Sequence, residues 1–211
     1  MKKPNPSQRI LLAFAAALTL QAAQAADVNW TATAAGSYNW SSEGSWSALP
    51  SASGADVLTF NILSGNVTST IDAAWATSGT GSIGGLVFAA DSTNTVNYTY
   101  TFASGTGTTL SLGSAGLVNN KTKGNISLGS GGAANSGVLS IDADQTWKQA
   151  ATGWNGSDIL INMNLSGAGN LTLTGSGGAY YFQSGNSAAY TGTITLQSSA
   201  IRLSGTSQLG R

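Results

Sequence analysis

The feature that most constrains this chain is the alternation of apolar and polar residues near its carboxy-terminal end. Apolar residues recur there in pairs separated by one residue, at Leu171 and Leu173, Ile194 and Leu196, and Ile201 and Leu203. A period of two is typical of β-strands with one buried face. Clusters of Gly, Ser and Asn separate the pairs, where the chain must turn sharply. The pattern therefore predicts short strands joined by tight turns.

The same alternation predicts which side chains lie inside. We expect Leu173 and Leu196 to face the interior, and Thr172 and Thr195 to face solvent. A carboxylate at an interior position would be buried without a partner, whereas one at an outward position would stay hydrated.

The composition excludes helical and disordered alternatives. The sequence contains 28 glycines and only 8% charged residues, yet 41% of its residues are apolar. Low-complexity polar tracts are often disordered, but they lack apolar residues in a strand-like period. Glycine and β-branched residues are poor helix formers, and no segment shows a period of 3.6 residues. An all-β fold is therefore expected.

Similar short runs of alternating apolar and polar residues recur along the chain and predict stacked rungs. They occur at residues 57–62, 66–72, 83–88, 96–102, 110–113, 126–129 and 139–141. LSLG at residues 110–113 and ISLG at 126–129 are near-copies, and this repetition favours a solenoid. Rungs of roughly 20 to 25 residues, stacked about 4.8 Å apart, would bury one continuous interior column. A β-sandwich of short strands is the alternative.

Ordered motifs in the last 45 residues resemble one autotransporter-associated β-strand repeat. Residues 169–175 read GNLTLTG, Asn186 precedes a Tyr-Thr-Gly triplet at residues 190–192, and Leu209 and Gly210 close the repeat. Residues 26–60 are similar to the amino-terminal region of the same family, with spaced tryptophans followed by Pro50 and by Asp56 four residues before Phe60. The D-Q-T-W run at residues 144–147, followed by alternating Ile159, Ile161, Met163 and Leu165, is similar to that region as well.

The resemblance implies a right-handed parallel β-helix (solenoid) with an aromatic amino-terminal cap, of the passenger type and without catalytic activity. We divide the chain into a cleaved export signal (residues 1–25), a capping segment (26–60) and β-helix repeats (61–211). The repeats end without an apparent cap, so the chain is expected to be the amino-terminal part of a longer protein or to depend on a partner chain. Expected partners are glycans or cell surfaces, and an outer-membrane barrel or further repeats.

The first 25 residues have the organisation of a secretory signal peptide. Lys2, Lys3 and Arg9 precede an apolar run over residues 10–20, and the Ala-Gln-Ala triplet at residues 23–25 provides a cleavage site. The apolar run is too short for a transmembrane anchor. We expect the exported chain to begin at Ala26 and to reach the outside or the outer surface of a Gram-negative-type bacterium. Its net charge of about −3 argues against nucleic-acid binding.

Three tryptophans within the capping segment allow two interpretations. Trp30, Trp40 and Trp46 are favoured as a cover for the first rung, whose strand edge would otherwise be open. Alternatively, their rings could stack on sugars as a carbohydrate-binding platform.

The chain offers few candidates for catalysis. It contains no His and no Cys, which excludes Ser-His-Asp and Cys-His nucleophiles and ordinary zinc sites. Asp142 and Asp144, interpreted as lying on one face of one strand, could act as paired acids or as part of a calcium site, with Lys148 as a nearby base. The favoured interpretation is a solvated turn before the D-Q-T-W strand. No catalytic, cofactor-binding or metal-binding residue is therefore assigned, and no cofactor is expected.

Overall fold

The protein is a parallel β-solenoid. The structure, a computed structural model, describes the residues 26–32, 34–52, 54, 56–61, 65–90, 100–104 (backbone only), 108–129, 137–150, 157–183 and 189–204. Within these residues all strands of the solenoid pair in parallel, and the only helical element is a single 3-10 turn, Glu43–Ser45. None of the described residues belongs to a helix with the length and apolarity that crossing a membrane requires. The predicted all-β solenoid is confirmed, and the β-sandwich alternative is wrong.

Two columns of seven strands run the length of the solenoid. The first column consists of β1 (Asp27–Trp30), β3 (Val57–Phe60), β5 (Thr80–Phe88), β7 (Thr109–Asn119), β10 (Gln145–Gln149), β13 (Leu171–Gly175) and β16 (Ile194–Gln197). The second column consists of β2 (Gly36–Asn39), β4 (Val67–Ile71), β6 (Tyr100–Ser104), β8 (Ile126–Leu128), β11 (Ile159–Ile161), β14 (Ala179–Phe182) and β17 (Ala200–Leu203). The chain alternates between the columns, so each level places one strand in each.

A third column begins where the long strands β5 and β7 bend. Their first halves pair with each other, and β7 then pairs with β9 (Val138–Ile141), which is followed by β12 (Asn164–Gly167) and β15 (Ala189–Tyr190). The register between β5 and β7 shifts at Ile83 and Gly85, where both strands turn the corner between columns. From this level onward the interior is enclosed on three sides.

The interior is built from ladders of apolar side chains in register. The longest ladder runs Val28, Leu58, Leu86, Leu117, Trp147, Leu173 and Leu196. All of its members except the last are buried. A second interior ladder runs through Ile126, Ile159 and Tyr180 in the second column. Each rung covers the side chains of the one below. A leucine that is fully buried in this way adds about 1.5 to 3 kcal/mol to the free energy of unfolding relative to an exposed one.

The length of a rung is not constant along the solenoid. Val28 pairs with Leu58, 30 residues later, whereas Leu173 pairs with Leu196, only 23 residues later. The predicted spacing of roughly 20 to 25 residues therefore holds only for the carboxy-terminal rungs. Longer connections in the earlier rungs account for the difference.

The two near-copies of the L-x-L-G pattern do not stack on each other. Leu110 belongs to the third column and pairs with Leu139, whereas Ile126 belongs to the second column and pairs with Ile159. They lie on different faces of one level and are therefore not equivalent strands of successive rungs. Their likeness reflects the alternation that any inward-facing strand requires.

The amino-terminal end of the first column is closed. An antiparallel bridge joins Trp30 to Trp46, flanked by hydrogen bonds from the Thr31 N–H to the Ser45 carbonyl (2.9 Å) and from the Ser47 N–H to the Asn29 carbonyl (2.8 Å). This segment occupies the free edge of β1, which would otherwise offer unpaired backbone groups. The predicted amino-terminal cap is therefore present, with the polypeptide backbone as well as the aromatic rings covering the edge.

The carboxy-terminal rung has no covering strand among the described residues. Leu196 is 48% exposed and Leu203 is 51% exposed, although both continue interior ladders. The expectation that Leu173 is interior is confirmed, since its side chain is fully buried. Leu196 faces the same side of the sheet, as expected, and it is half exposed because no described strand lies over it.

Candidate functional sites

The glycine and tyrosine positions of the repeat-like motif form one corner of the solenoid. The Tyr190 hydroxyl donates a hydrogen bond to the Gly169 carbonyl (2.9 Å), and the Thr191 N–H donates to the Gly167 carbonyl (2.9 Å). A Cβ at Gly169 would collide with the Ala143 backbone, and one at Gly192 would collide with the Gly169 carbonyl. These motif residues therefore serve close rung-to-rung packing. Asn186, Leu209 and Gly210 lie outside the described residues.

Asp142 is held by hydroxyl groups of neighbouring strands. Its Oδ2 accepts a hydrogen bond from the Ser111 hydroxyl, and its Oδ1 accepts one from the Ser140 hydroxyl, both at 2.7 Å. Asp142 and Asp144 lie in the exposed turn between β9 and β10, so their placement on one strand is wrong. The favoured interpretation, a solvated turn before the D-Q-T-W strand, is confirmed.

Asp144 belongs to a corner ladder that links three levels. Its Oδ1 accepts a hydrogen bond from the Asn170 N–H (2.8 Å), and the Asn170 Oδ1 in turn accepts one from the Thr193 N–H (3.1 Å). Each of these side chains precedes a strand of the first column and binds the backbone of the next level. Lys148 lies on the exposed outer face of β10.

A second corner ladder, which was not predicted from the sequence, lies before strands of the second column. The Asn125 Oδ1 accepts a hydrogen bond from the Asp158 N–H (3.0 Å), and the Asp158 Oδ1 accepts one from the Ala179 N–H (2.8 Å). Arg202 adds an ion pair with Asp158 at 3.5 Å, although its own side chain is half exposed. The signal that could have revealed this ladder is the Asn or Asp immediately before Ile126 and Ile159, as before Leu171.

A shallow polar cleft follows the first corner. It has a volume of about 280 Å³ and is lined by Ser114, Ala115, Asp144, Gln145, Thr146, Asn170 and Thr172. The lining combines hydroxyl, amide and carboxylate groups and contains no aromatic ring. Gln145 is itself buried, and its Nε2 donates a hydrogen bond to the Leu112 carbonyl (3.1 Å), so its amide is already engaged.

The three tryptophans of the capping segment are interior residues. Trp30 and Trp40 are fully buried and Trp46 is 4% exposed. The ring centroids of Trp30 and Trp46 lie 4.7 Å apart in an edge-to-face arrangement, and the indole N–H of Trp46 donates to the Trp40 carbonyl (3.1 Å). Because a platform must present a ring face to solvent, their interpretation as a sugar-stacking surface is wrong. The cluster continues into the next rungs through Trp75 and Phe88.

Polar side chains also enter the interior near the ends of β7 and β10. Asn119 pairs in register with Gln149, and its Nδ2 donates a hydrogen bond to the Ser157 hydroxyl (3.0 Å). Lys121 is almost fully buried nearby, and its Nζ lies 3.5 Å from the Asn125 carbonyl. The amide of Gln149 is buried with neither its oxygen nor its nitrogen hydrogen-bonded. Nothing in the periodic pattern distinguishes these positions from apolar ones.

Two buried tyrosines have raised pKa values. Burial raises the pKa of Tyr180 well above its usual range, and its hydroxyl donates a hydrogen bond to the Thr174 carbonyl (2.9 Å). Burial likewise raises the pKa of Tyr190, with a smaller contribution from the negative charge of Asp144. Both hydroxyls donate to backbone carbonyls, so these tyrosines fasten rungs together.

Asp72 shows the opposite shift. Burial by itself would raise its pKa, but hydrogen bonds from the backbone N–H groups of Ser41, Trp75 and Ala74 outweigh burial and hold the pKa below its usual value. Asp72 therefore stabilises the turn after β4 as a carboxylate.

The described residues contain no group of three or more acidic side chains that could hold a metal ion. Comparison of the chain with protein-family models, with curated proteins and with solved structures found no match. The parallel solenoid that the repeat-like motifs imply is present, and membership of the autotransporter-associated repeat family is not established by these comparisons.

Proposed function

We propose that the protein is an exported structural solenoid of the passenger type, a stalk or adhesin-like element without catalytic activity. The observation that carries this proposal is the use of its polar corner residues. Asp142, Asp144 and Asp158 are all engaged in hydrogen bonds between levels. A chain whose acidic side chains join neighbouring rungs is suited to a rigid structural role rather than to catalysis.

Two further observations support a surface role. The sequence has the organisation of a cleaved export signal, and its repeat-like motifs resemble those of passenger β-helices. The exposed terminal rung offers Leu196 and Leu203 to further rungs, whether on the same chain or on a partner.

Cell fractionation tests the proposal directly. An epitope inserted at Ser78, in the exposed turn before β5, is expected to be accessible to antibody on intact bacteria. The exported protein is expected to begin at Ala26, as read by amino-terminal sequencing. Retention of residues 1–20 in the inner membrane, or an epitope detected only after lysis, would contradict export to the surface.

The polar cleft favours carbohydrate binding or processing as the second candidate function. Its hydroxyl, amide and carboxylate groups are suited to hydrogen bonds with sugars. Thr146→Arg, on the exposed face of the cleft, would obstruct a bound polysaccharide. Lys148→Arg on the same strand is the control. A glycan array together with turnover assays on pectin-like and alginate-like polymers tests this candidate. Binding that Thr146→Arg abolishes, or turnover that it abolishes, would favour it over a purely structural role.

A further inference from the structure

The backbone nitrogen of Ala26 lies beside a buried carboxylate. It donates a hydrogen bond to the Asp56 Oδ1 at 3.2 Å. Ala26 is fixed in this place because its carbonyl accepts a hydrogen bond from the Val57 N–H (3.0 Å) and because Asp27, the next residue, pairs with Val57 in the sheet. The pairing of the first two strands of the column therefore fixes the position of this nitrogen.

Asp56 has no cationic partner among the described residues. Its side chain is 9% exposed, and its Oδ2 accepts a hydrogen bond from the Ser51 N–H (2.9 Å). Both of these contacts are with backbone groups, which carry no charge while the chain is continuous through Ala26. The ion pair found in the described part of the chain joins Arg202 to Asp158, at the opposite end of the solenoid.

The charge distribution makes this carboxylate unusual. Residues 26–120 contain five acidic residues and no Lys, Arg or His. The acids are Asp27, Glu43, Asp56, Asp72 and Asp91. A new α-amino group at residue 26 would be the sole cationic group in this half of the exported chain. Opposite charges at hydrogen-bond distance in a partly buried site attract more strongly than on an open surface.

We propose that removal of the export signal completes the first rung by converting the Ala26 nitrogen into an ammonium group that pairs with Asp56. Hydrolysis by a signal peptidase consumes one water, breaks the peptide bond between Ala25 and Ala26, and leaves a carboxylate on Ala25. The amine released on Ala26 takes up a proton. The inference depends on the proposed export only for the place of cleavage, because the pairing itself is a property of the processed chain.

This pairing makes the stability of the first rung depend on processing. In the precursor the nitrogen of Ala26 is an amide and brings no charge to Asp56. In the processed chain the same nitrogen carries a positive charge within 3.2 Å of the carboxylate. Cleavage therefore stabilises the folded state after translocation, when folding is required.

A double-mutant cycle on the processed chain, residues 26–211, tests the pairing. One additional glycine before Ala26 moves the ammonium by about 3.8 Å. We expect this extension to lower the equilibrium constant for folding about threefold to tenfold when Asp56 is present, and much less in Asp56→Asn. Urea unfolding of the four proteins measures the coupling. Equal effects of the extension in both backgrounds would overturn the proposal.

A control and a second readout keep the test decisive. Asp27→Asn removes an exposed acid next to the terminus, and the effect of the extension is expected to persist in that background. If Asp56→Asn does not fold, NMR titration of the Ala26 amine in the unaltered processed chain decides. We expect it to titrate above the usual range of about 7.7 to 8.0. Titration within that range would overturn the pairing, whereas an exported protein that begins at another residue would contradict the cleavage site alone.

Discussion

At the scale of single residues, position along a ladder decides what a side chain contributes. Leu173 and Leu196 are partners in register and differ little in sequence context. Leu173 is fully buried because β16 covers it, whereas Leu196 is 48% exposed on the last rung. Chemically identical residues therefore differ in stabilisation solely because one has a level on each side.

We predict that Leu173→Ala costs about 2 to 5 kcal/mol of unfolding free energy and Leu196→Ala roughly 1 kcal/mol or less. Urea unfolding of both variants measures the difference.

As a test of register, Leu173→Asp is expected to cost several kcal/mol, and Thr172→Asp roughly 0.5 kcal/mol or less. Similar losses for Leu173→Asp and Thr172→Asp would show that the register of β13 is wrong.

Tyr180 gives a residue-scale prediction on pH. Its folded pKa is raised above the ordinary value of 10.0, so its hydroxyl stabilises the protein fully below that value. Above about pH 10 the unfolded chain releases this proton more readily, and stability falls as pH rises towards the folded pKa. We expect Tyr180→Phe to reduce the fall in the urea midpoint between about pH 9 and about pH 11.

The partly exposed neighbour Tyr181 supplies the control for this experiment. Tyr181→Phe removes a hydroxyl from the same strand without removing the bond to the Thr174 carbonyl. An identical pH dependence in the two variants would contradict the assigned role of Tyr180.

At the scale of elements, polar corners determine how strands stack. Asp144 and Asn170 each precede a strand of the first column, and each side chain accepts a backbone N–H of the following level. Such bonds satisfy donors at the corner where the sheet ladder is interrupted. The same arrangement before β8 and β11 indicates that the corners, as well as the apolar interior, hold the rungs in register.

We predict that Asp144→Ala destabilises the protein by about 1 kcal/mol, whereas Asp144→Asn costs less because its amide oxygen still accepts the Asn170 N–H. Hydrogen exchange at the Asn170 amide measures the effect locally. Faster exchange is expected in Asp144→Ala than in Asp144→Asn. Equal exchange rates in both variants would mean that the side-chain acceptor is not important at this corner.

At the scale of the whole molecule, the two ends of the described solenoid differ. The first column begins under an antiparallel bridge between Trp30 and Trp46 and ends at β16 with no strand beyond it among the described residues. An uncovered edge with apolar side chains is a template for another strand. Of the two ends of the described solenoid, the carboxy-terminal one presents the edge that is open to stacking.

We predict that the processed chain, residues 26–211, self-associates through this terminal rung. Leu196→Lys is expected to shift the protein towards monomer in sedimentation velocity, because a charge on the edge opposes strand pairing. Thr195→Lys adds the same charge on the outer face of β16 and is the control. A concentration-independent monomer formed by the unaltered chain would contradict the prediction.

Much of the fold was predictable because strand formation leaves local signals. The alternation of Leu171 and Leu173 with threonines indicated a strand with one buried face, and it is β13. The spaced tryptophans indicated a cap, and two of them form the closing bridge. The corner ladder of Asn125 and Asp158 was missed because its hydrogen bonds join residues 33 and 21 positions apart.

The sequence by itself determined the all-β class and the inward faces of the strands, because period and turn chemistry act over a few residues. Only the tertiary structure decided which strand lies over which, because the connections differ in length from rung to rung. It placed the near-copies at residues 110–113 and 126–129 on two faces of one level. It also left Leu196 half exposed, because burial in a solenoid depends on whether another rung lies above.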